Sequence, residues 1–244
     1  MLVSPEQLEK KYNLSSFDFY SEQVDLFTNY LRQTEKVNVA LESAESEIKA
    51  RQGFESLPKE LQAQKILNFS KYYNHCFKMI SDGYSLRDRA KSLEAFAFMY
   101  GLSFPCEDEI FELMGPNVYA EIYDRHFLQI YRSPDWLETT SYGLKTLETS
   151  DWRNLFARSE NVLKKQMEVV TGIYSGQVKL PVLKPVEQHT VKELYGDSPY
   201  CCEVESLLYS PVYNLKNEFV GGLHLMKLHD LRTLSFKIVP DYSL

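Results

Sequence analysis

The sequence predicts an α+β fold in which helices come first and an antiparallel sheet follows. Three observations carry that prediction. From Ser16 to about Arg51 there is neither Gly nor Pro, and Tyr20, Val24, Phe27, Leu31, Thr34, Leu41 and Ile48 recur at intervals of four and three, with polar Asn38 and Glu45 in the gaps. That is the period of one helix face. After Asn117 the period becomes two, because Val118, Ala120 and Ile122 alternate with Tyr119, Glu121 and Tyr123. Two strand-like runs, 200–213 and 218–226, flank Asn214-Leu-Lys-Asn217, which suits a four-residue hairpin turn.

The helical unit is expected to span residues 1–117. One long helix over 16–51 presents its seam to the rest of the chain and ends at Gly53. Ser56-Leu-Pro58-Lys-Glu60 starts a second helix, with Ser as cap and Pro early in the first turn. Its wide apolar face runs from Leu61 through Phe69, Tyr72 and Cys76 to Ile80, which marks it as the central helix; His75 on it reads as a hydrogen-bonded, partly buried histidine. Asp82-Gly83 closes it, and Ser85-Leu-Arg-Asp88 reads as a capping box for a third helix. Glu107-Asp108-Glu109 suits the first turn of a fourth, where the helix dipole favours acids. Gly115-Pro116-Asn117 is the boundary.

The sheet unit is expected over 118–231, with a tail at 232–244. Strands at 118–123 and 127–132 form a hairpin about Asp124-Arg-His126. Ser133-Pro134 starts a short helix, and further turns follow at Leu144–Leu147 and from Asp151-Trp152. A longer helix runs from about Ser159 to Val170. Pro181 and Pro185 mark 178–186 as an edge or broken strand, and 188–199 reads as a loop with a helical turn near 191–195. In the first strand of the long hairpin, strict alternation puts Cys202, Val204, Ser206, Leu208, Ser210 and Val212 on one face. Glu203, Glu205, Leu207 and Tyr209 take the other. Both faces are partly apolar, so both are expected to be covered. Gly221-Gly222 inside a strand marks a bulge or a close approach.

In order and spacing these elements resemble a PAS domain, a small curved antiparallel sheet around a ligand-sized or filled core. The resemblance rests on 122–134 ending in Ser-Pro, on Ser141-Tyr142-Gly143, on Asp151-Trp-Arg-Asn-Leu-Phe156, and on Ser210-Pro211-Val212-Tyr213 leading to Phe219-Val-Gly-Gly222. It covers about half the chain and none of 1–117. It implies sensing or docking rather than catalysis. The flavin-binding members' Asn-Cys-Arg-Phe-Leu run does not occur, and 159–170 holds no His of the haem-binding kind. Flavin and haem are therefore not expected. A pocket, if the core leaves one, would draw on Tyr131, Trp136, Tyr142, Trp152, Leu155, Met167, Cys202, Val204, Leu208, Leu223 and Leu225; complete filling by the same side chains is the favoured expectation.

Composition bounds the function. The chain has 244 residues, 44% hydrophobic and 14% aromatic, with 17 Tyr and 14 Phe, enough for a substantial core. A net charge of −7 without a basic cluster argues against direct nucleic-acid or anionic-membrane contact. No apolar run nears the ~18 residues of a membrane span, and the first ten residues lack a secretory pattern. The four cysteines show no C-x-x-C spacing, and adjacent Cys201 and Cys202 point to opposite faces of a strand, which predicts free thiols and no metal site. His126, His189, His224 and His229 offer no shared metal geometry. Glu203 and Glu205, about 7 Å apart on one strand face, read as a solvated edge. No hydrolase, nucleotide-binding or dehydrogenase motif occurs, so no catalytic residue is assigned.

The expected protein is thus intracellular (cytoplasmic, or nuclear in a eukaryote) and regulatory. It senses a small ligand or docks a protein partner or second copy through the PAS-like unit. The alternatives are an enzyme with a cleft between the helical and sheet units, and a transcriptional cofactor acting through protein partners.

Overall fold

The computed structural model describes residues 16–194 and 199–233. The basic pair Lys10-Lys11 and most of the expected tail lie outside them. The fold class agrees with the sequence: helices precede a curled antiparallel sheet. The helices are α1 (Phe17–Tyr30), α2 (Ala44–Glu55), α3 (Lys59–Ser81), α4 (Arg89–Tyr100), α5 (Glu107–Glu112), α6 (Leu144–Thr149), α7 (Trp152–Leu155) and α8 (Glu160–Tyr174), with a 3-10 turn at Pro134–Thr139. The strands are β1 (Leu102–Ser103), β2 (Val118–Asp124), β3 (Gln129–Arg132), β4 (Phe156–Ala157), β5 (Val182–Glu193), β6 (Tyr200–Asn214) and β7 (Phe219–Thr233). They form one sheet in the order β3-β2-β7-β6-β5-β4, and β1 pairs with β6. The first long strand thus lies beside the last.

The expected single helix over 16–51 is two helices. Helix α1 ends in a π-turn, Leu31–Glu35, and Lys36 takes a left-handed conformation at φ 55°. The chain then runs extended, burying Val37 and Val39. Tyr20, Val24, Phe27 and Leu31 are buried, but Leu41 and Ile48 are exposed, so no seam continues. Polar contacts outweigh helical continuity here: the Asn38 amide donates to Glu138 at 3.1 Å, and the Glu42 carboxylate accepts from the Thr146 amide at 2.9 Å and hydroxyl at 2.8 Å. Gly53 lies inside α2 rather than ending it, because a Cβ there would overlap the Thr149 carbonyl of α6.

Three caps also differ from expectation. Pro58, not Ser56, precedes α3. Asp88, not Ser85, caps α4 by accepting from the Lys91 amide at 3.1 Å. The Ser133 hydroxyl accepts from the Ala120 amide at 2.9 Å and so pins the 3-10 turn to β2 instead of capping it. The 23-residue α3 buries Ile66, Phe69, Tyr72, His75, Cys76 and Met79 and is the central helix. Its aromatic side chains interlock with α1: Phe27 makes edge contacts with Phe69, Tyr72 and Tyr73 at 5.2–5.7 Å. Such pairs contribute about 0.5–1.5 kcal/mol each beyond area burial.

The sheet separates two layers. Val118, Ala120, Ile122, Leu208, Val212, Leu223 and Leu225 share a buried cluster with Leu93, Phe96, Phe104 and Ile110 of the preceding helical unit. The small helices α6 and α7 with α8 lie over the opposite face. Strict alternation fails in β6 because the β6–β7 register shifts between Ser206 and Leu208. Cys202 and Val204 therefore share a face with Tyr209 rather than Leu208. Residues 188–193, expected as loop, continue β5, pairing Thr190 with Glu203 and Val191 with Cys202. Strand β5 accommodates Pro185 through two register shifts and a left-handed Lys184 at φ 45°.

Helix and sheet units are tied by buried charge. Lys65 on α3 pairs with Glu148 on α6 at 3.5 Å, both nearly inaccessible. Burial lowers the Lys65 pKa, opposed by Glu148. Asp135 takes a bidentate contact from Arg89 at 2.7 and 3.0 Å, and Lys145 bridges Asp25 and Glu47 at 2.9 and 2.8 Å.

Two outcomes are expected. Glu148→Gln leaves a buried Lys65 unpaired and should cost about 3–5 kcal/mol in urea denaturation, whereas Lys65→Met with Glu148→Leu should recover most of it. Gly221→Ala, whose methyl would overlap the Tyr123 carbonyl oxygen, should lose about 1–3 kcal/mol. Gly115→Ala, with nothing within 4 Å, should lose none.

Candidate functional site

Between the sheet and the layer of α6, α7 and α8 lies a cavity of about 580 Å³. The expectation of a completely filled core is therefore corrected. Sheet geometry makes the space. Tyr119, Glu121 and Tyr123 of β2, Gln129 and Arg132 of β3, Tyr209 of β6 and His224 and Met226 of β7 line one wall. Helix α8 supplies Gln166, Met167, Val170, Ile173 and Tyr174, spaced as one helical stripe. Trp136, Thr139, Leu147 and Trp152 close the remaining side. The lining also reaches exposed His126, Phe127, Asp151 and Arg153, which places the mouth beside the β2–β3 turn.

Close approaches hold the walls together. The Tyr174 hydroxyl donates to the carbonyls of Tyr123 and Asp124 at 3.2 and 3.1 Å, and its ring stacks on Phe127 at 4.0 Å. A Cβ at Gly222 would press on that ring, which is the close approach the double glycine suggested. At the far end of β5, the buried Glu193 carboxylate accepts from Thr140, Ser141 and the Tyr200 amide at 2.5–2.9 Å, anchoring the loop before α6.

The cavity is amphipathic. Arg132 pairs with Glu121 at 3.0 Å and stacks 4.2 Å over Trp136. Burial works against the Arg132 charge, and Glu121 with Tyr123 and Glu148 outweighs it, so the guanidinium stays protonated. Glu121 also accepts from Gln129 at 3.2 Å. His224 stacks flat on Tyr209 at 4.2 Å and shares a hydrogen bond with Ser206 at 3.2 Å. Burial, then the charges of Arg158 and His189, lowers its pKa to about 3, so it is neutral. Burial raises the Cys202 thiol to about 12, an unreactive state. Four lining residues carry a buried polar atom without a hydrogen-bond partner among the described residues: Gln129 Oε1, Arg132 Nη1, Arg158 Nε and Gln166 Oε1. Such atoms are rare and costly in a dry core.

Of the residues expected at a pocket, Trp136, Trp152, Leu155, Met167, Cys202, Val204 and Leu223 line this cavity. Tyr131, Tyr142, Leu208 and Leu225 do not. Tyr131 points to the helical layer and donates to Ser92 at 3.1 Å. Tyr142 donates to the Leu155 carbonyl at 2.8 Å. Leu208 and Leu225 are register partners on the buried face of the sheet. The polar lining, Glu121, Gln129, Arg132, Arg158, Gln166 and His224, was missed. Its signal was present in β2, whose two faces both carry large side chains.

His75 is buried and shares a hydrogen bond with Ser92 at 3.0 Å. His189 lies in β5, not in a loop. The Glu203 carboxylate accepts from Thr190, and Glu205 pairs with His229 at 3.1 Å. All four cysteines are free. No group of three metal-ligating side chains occurs among the described residues, and no helix there is long and apolar enough to cross a membrane. No protein-family model matches the chain, and no curated protein is similar to it.

Because His224 takes up a proton in the unfolded chain near pH ~6.5 but in the folded chain only at about 3, stability should fall as pH drops between those values. His75, lowered to about 4 by burial, adds to the same slope. Urea midpoints measured across this window should show a shallower decline in His224→Asn than in the parent protein. Identical slopes would mean that His224 takes up its proton at the same pH in the folded and the unfolded chain.

Proposed function

We propose that the protein is an intracellular regulatory protein that senses a small molecule in this cavity. The observation that carries the reading is the cavity itself, about 580 Å³ and lined by apolar side chains with a few unsatisfied polar atoms. Ligand sites fall in the range of about 300–1,000 Å³ and share that character. The element order also supports the PAS resemblance: a hairpin, short helices, a flanking helix, then three long strands.

Output would pass through the wall. Residues 135–148 supply Trp136, Thr139, Leu147 and Glu148 to the cavity. The same stretch holds the helical unit through Asp135–Arg89, Glu138–Arg87, Lys145–Asp25 and Lys65–Glu148. A ligand that favours one placement of this wall shifts the packing of α1 and α2 by population shift. A protein partner, or a second copy, then reads the changed surface.

Both tryptophans of the chain line the cavity, so their emission reports occupancy directly. A metabolite screen by thermal shift should yield ligands that raise Tm and alter tryptophan emission. Hydrogen exchange should then slow in α1 and α2 as well as around the cavity. Ligands that protect only the cavity walls would refute transmission to the helices. A broad screen without any shift in Tm or emission would refute sensing.

A further inference from the structure

We infer that the cavity takes an organic acid, its carboxylate held by Arg158 and its apolar body laid against the aliphatic and methionine side chains of the lining. This rests on the cavity being a ligand site. The charged lining residues are Lys65, Arg132, Arg153 and Arg158 against Glu121, Glu148 and Asp151. Each carboxylate already has a cation: Lys65 on Glu148, Arg132 on Glu121, and Arg153 on Asp151. Arg158 makes no ion pair among the described residues.

The surroundings of Arg158 make that vacancy informative. The side chain follows β4 and enters between Trp152 and Phe156, with its guanidinium 4.8 and 5.8 Å from the two ring centroids. Cation–π contact uses the faces of the guanidinium, while its N–H edges stay available to acceptors. One Nη donates to the Phe156 carbonyl at 3.3 Å, and Nε has no acceptor. Burial presses against the charge, lowering the Arg158 pKa. A half-buried, aromatic-framed arginine whose Nε lacks an acceptor is the geometry that binds a carboxylate in two-point fashion.

The neighbours suit an acid's anion. Burial together with the charges of Arg158 and His189 holds His224 neutral, so the site presents one full positive charge rather than two. Beyond this polar end, Met167, Val170, Ile173, Val204, Met226 and Leu228 offer an apolar surface to the remainder of the ligand.

The test compares acids with alcohols of the same shape: decanoate against decanol, and phenylbutyrate against phenylbutanol, titrated calorimetrically into the full chain. The acids should bind about tenfold to a hundredfold more tightly, the worth of a charge-assisted contact. Arg158→Gln should bring the acid-to-alcohol affinity ratio close to one, and Arg158→Lys should retain part of the preference. Equal binding of acid and alcohol by the parent protein would overturn the inference and leave the cavity a ligand site of another kind. So would an acid preference that survives in Arg158→Gln. If that variant does not fold, the parent's acid-to-alcohol ratio decides alone. Failure of all four compounds to bind also overturns the inference, and the sensing reading is judged separately by the metabolite screen.

Discussion

The pairing of β2 with β7 is the constraint on which the rest of the molecule depends. Val118 opposes Lys227 and Asp124 opposes Gly221, so the first long strand is zipped to the last. Of the chain between them, the 3-10 turn, α6, α7 and α8 fold back over one face, while β3, β4, β5 and β6 extend the same sheet on either side. Closing such a long loop has an entropic cost, and the sequence answers with local chemistry. Gly221 lets the Tyr123 carbonyl approach, and Tyr174 from α8 donates to the two carbonyls next to it. Helix α8 is thereby locked to the same point that closes the sheet, and the space between helix and strands is left over.

That space persists because the side chains facing it differ from those on the other face. Val118, Ala120 and Ile122 meet the helical unit and pack densely. Tyr119, Glu121 and Tyr123 face inward and end in polar atoms, which must find partners or solvent. Glu121 gathers Arg132, Gln129 and Tyr123 around itself. Collapse of the cavity would crowd these groups and strand Arg158 in apolar surroundings. The cavity is thus a product of buried polarity as much as of missing volume.

Much of this was legible in the sequence, and the failures have physical causes. Period-two alternation in 118–123 and the Asn214–Asn217 turn located the hairpins because both signals are local. The break after α1 was not legible: a helix-like spacing of apolar residues ran through 31–48, and only tertiary partners for Asn38 and Glu42 favour an extended chain there. Caps were misassigned wherever a hydroxyl found a better use, as Ser133 does on the Ala120 amide. Half of β5 was hidden by Pro185 and by the mix of Glu, Gln, His and Thr that follows it. The pocket side of β6 was misread beyond Ser206, since one register shift exchanges the faces of every later residue. Aromatic and sulfur-bearing pocket residues could be guessed by type. Arg158 could not, because an arginine beside a helix start looks like surface until the fold surrounds it.

The irregularities of β5 bear on how copies of the protein can meet. A sheet that ends in a long, straight, unpaired strand invites a neighbour's strand to continue it. Here β3, on one side, has four residues, and β4, on the other, has two. Strand β5 itself is kinked at Lys184-Pro185, where one peptide lacks an N–H to offer. Strand-to-strand growth into fibres or continuous sheets is frustrated at both margins. Among the described residues, helices and loop surfaces are therefore better suited than the rim of the sheet to contact with a second copy.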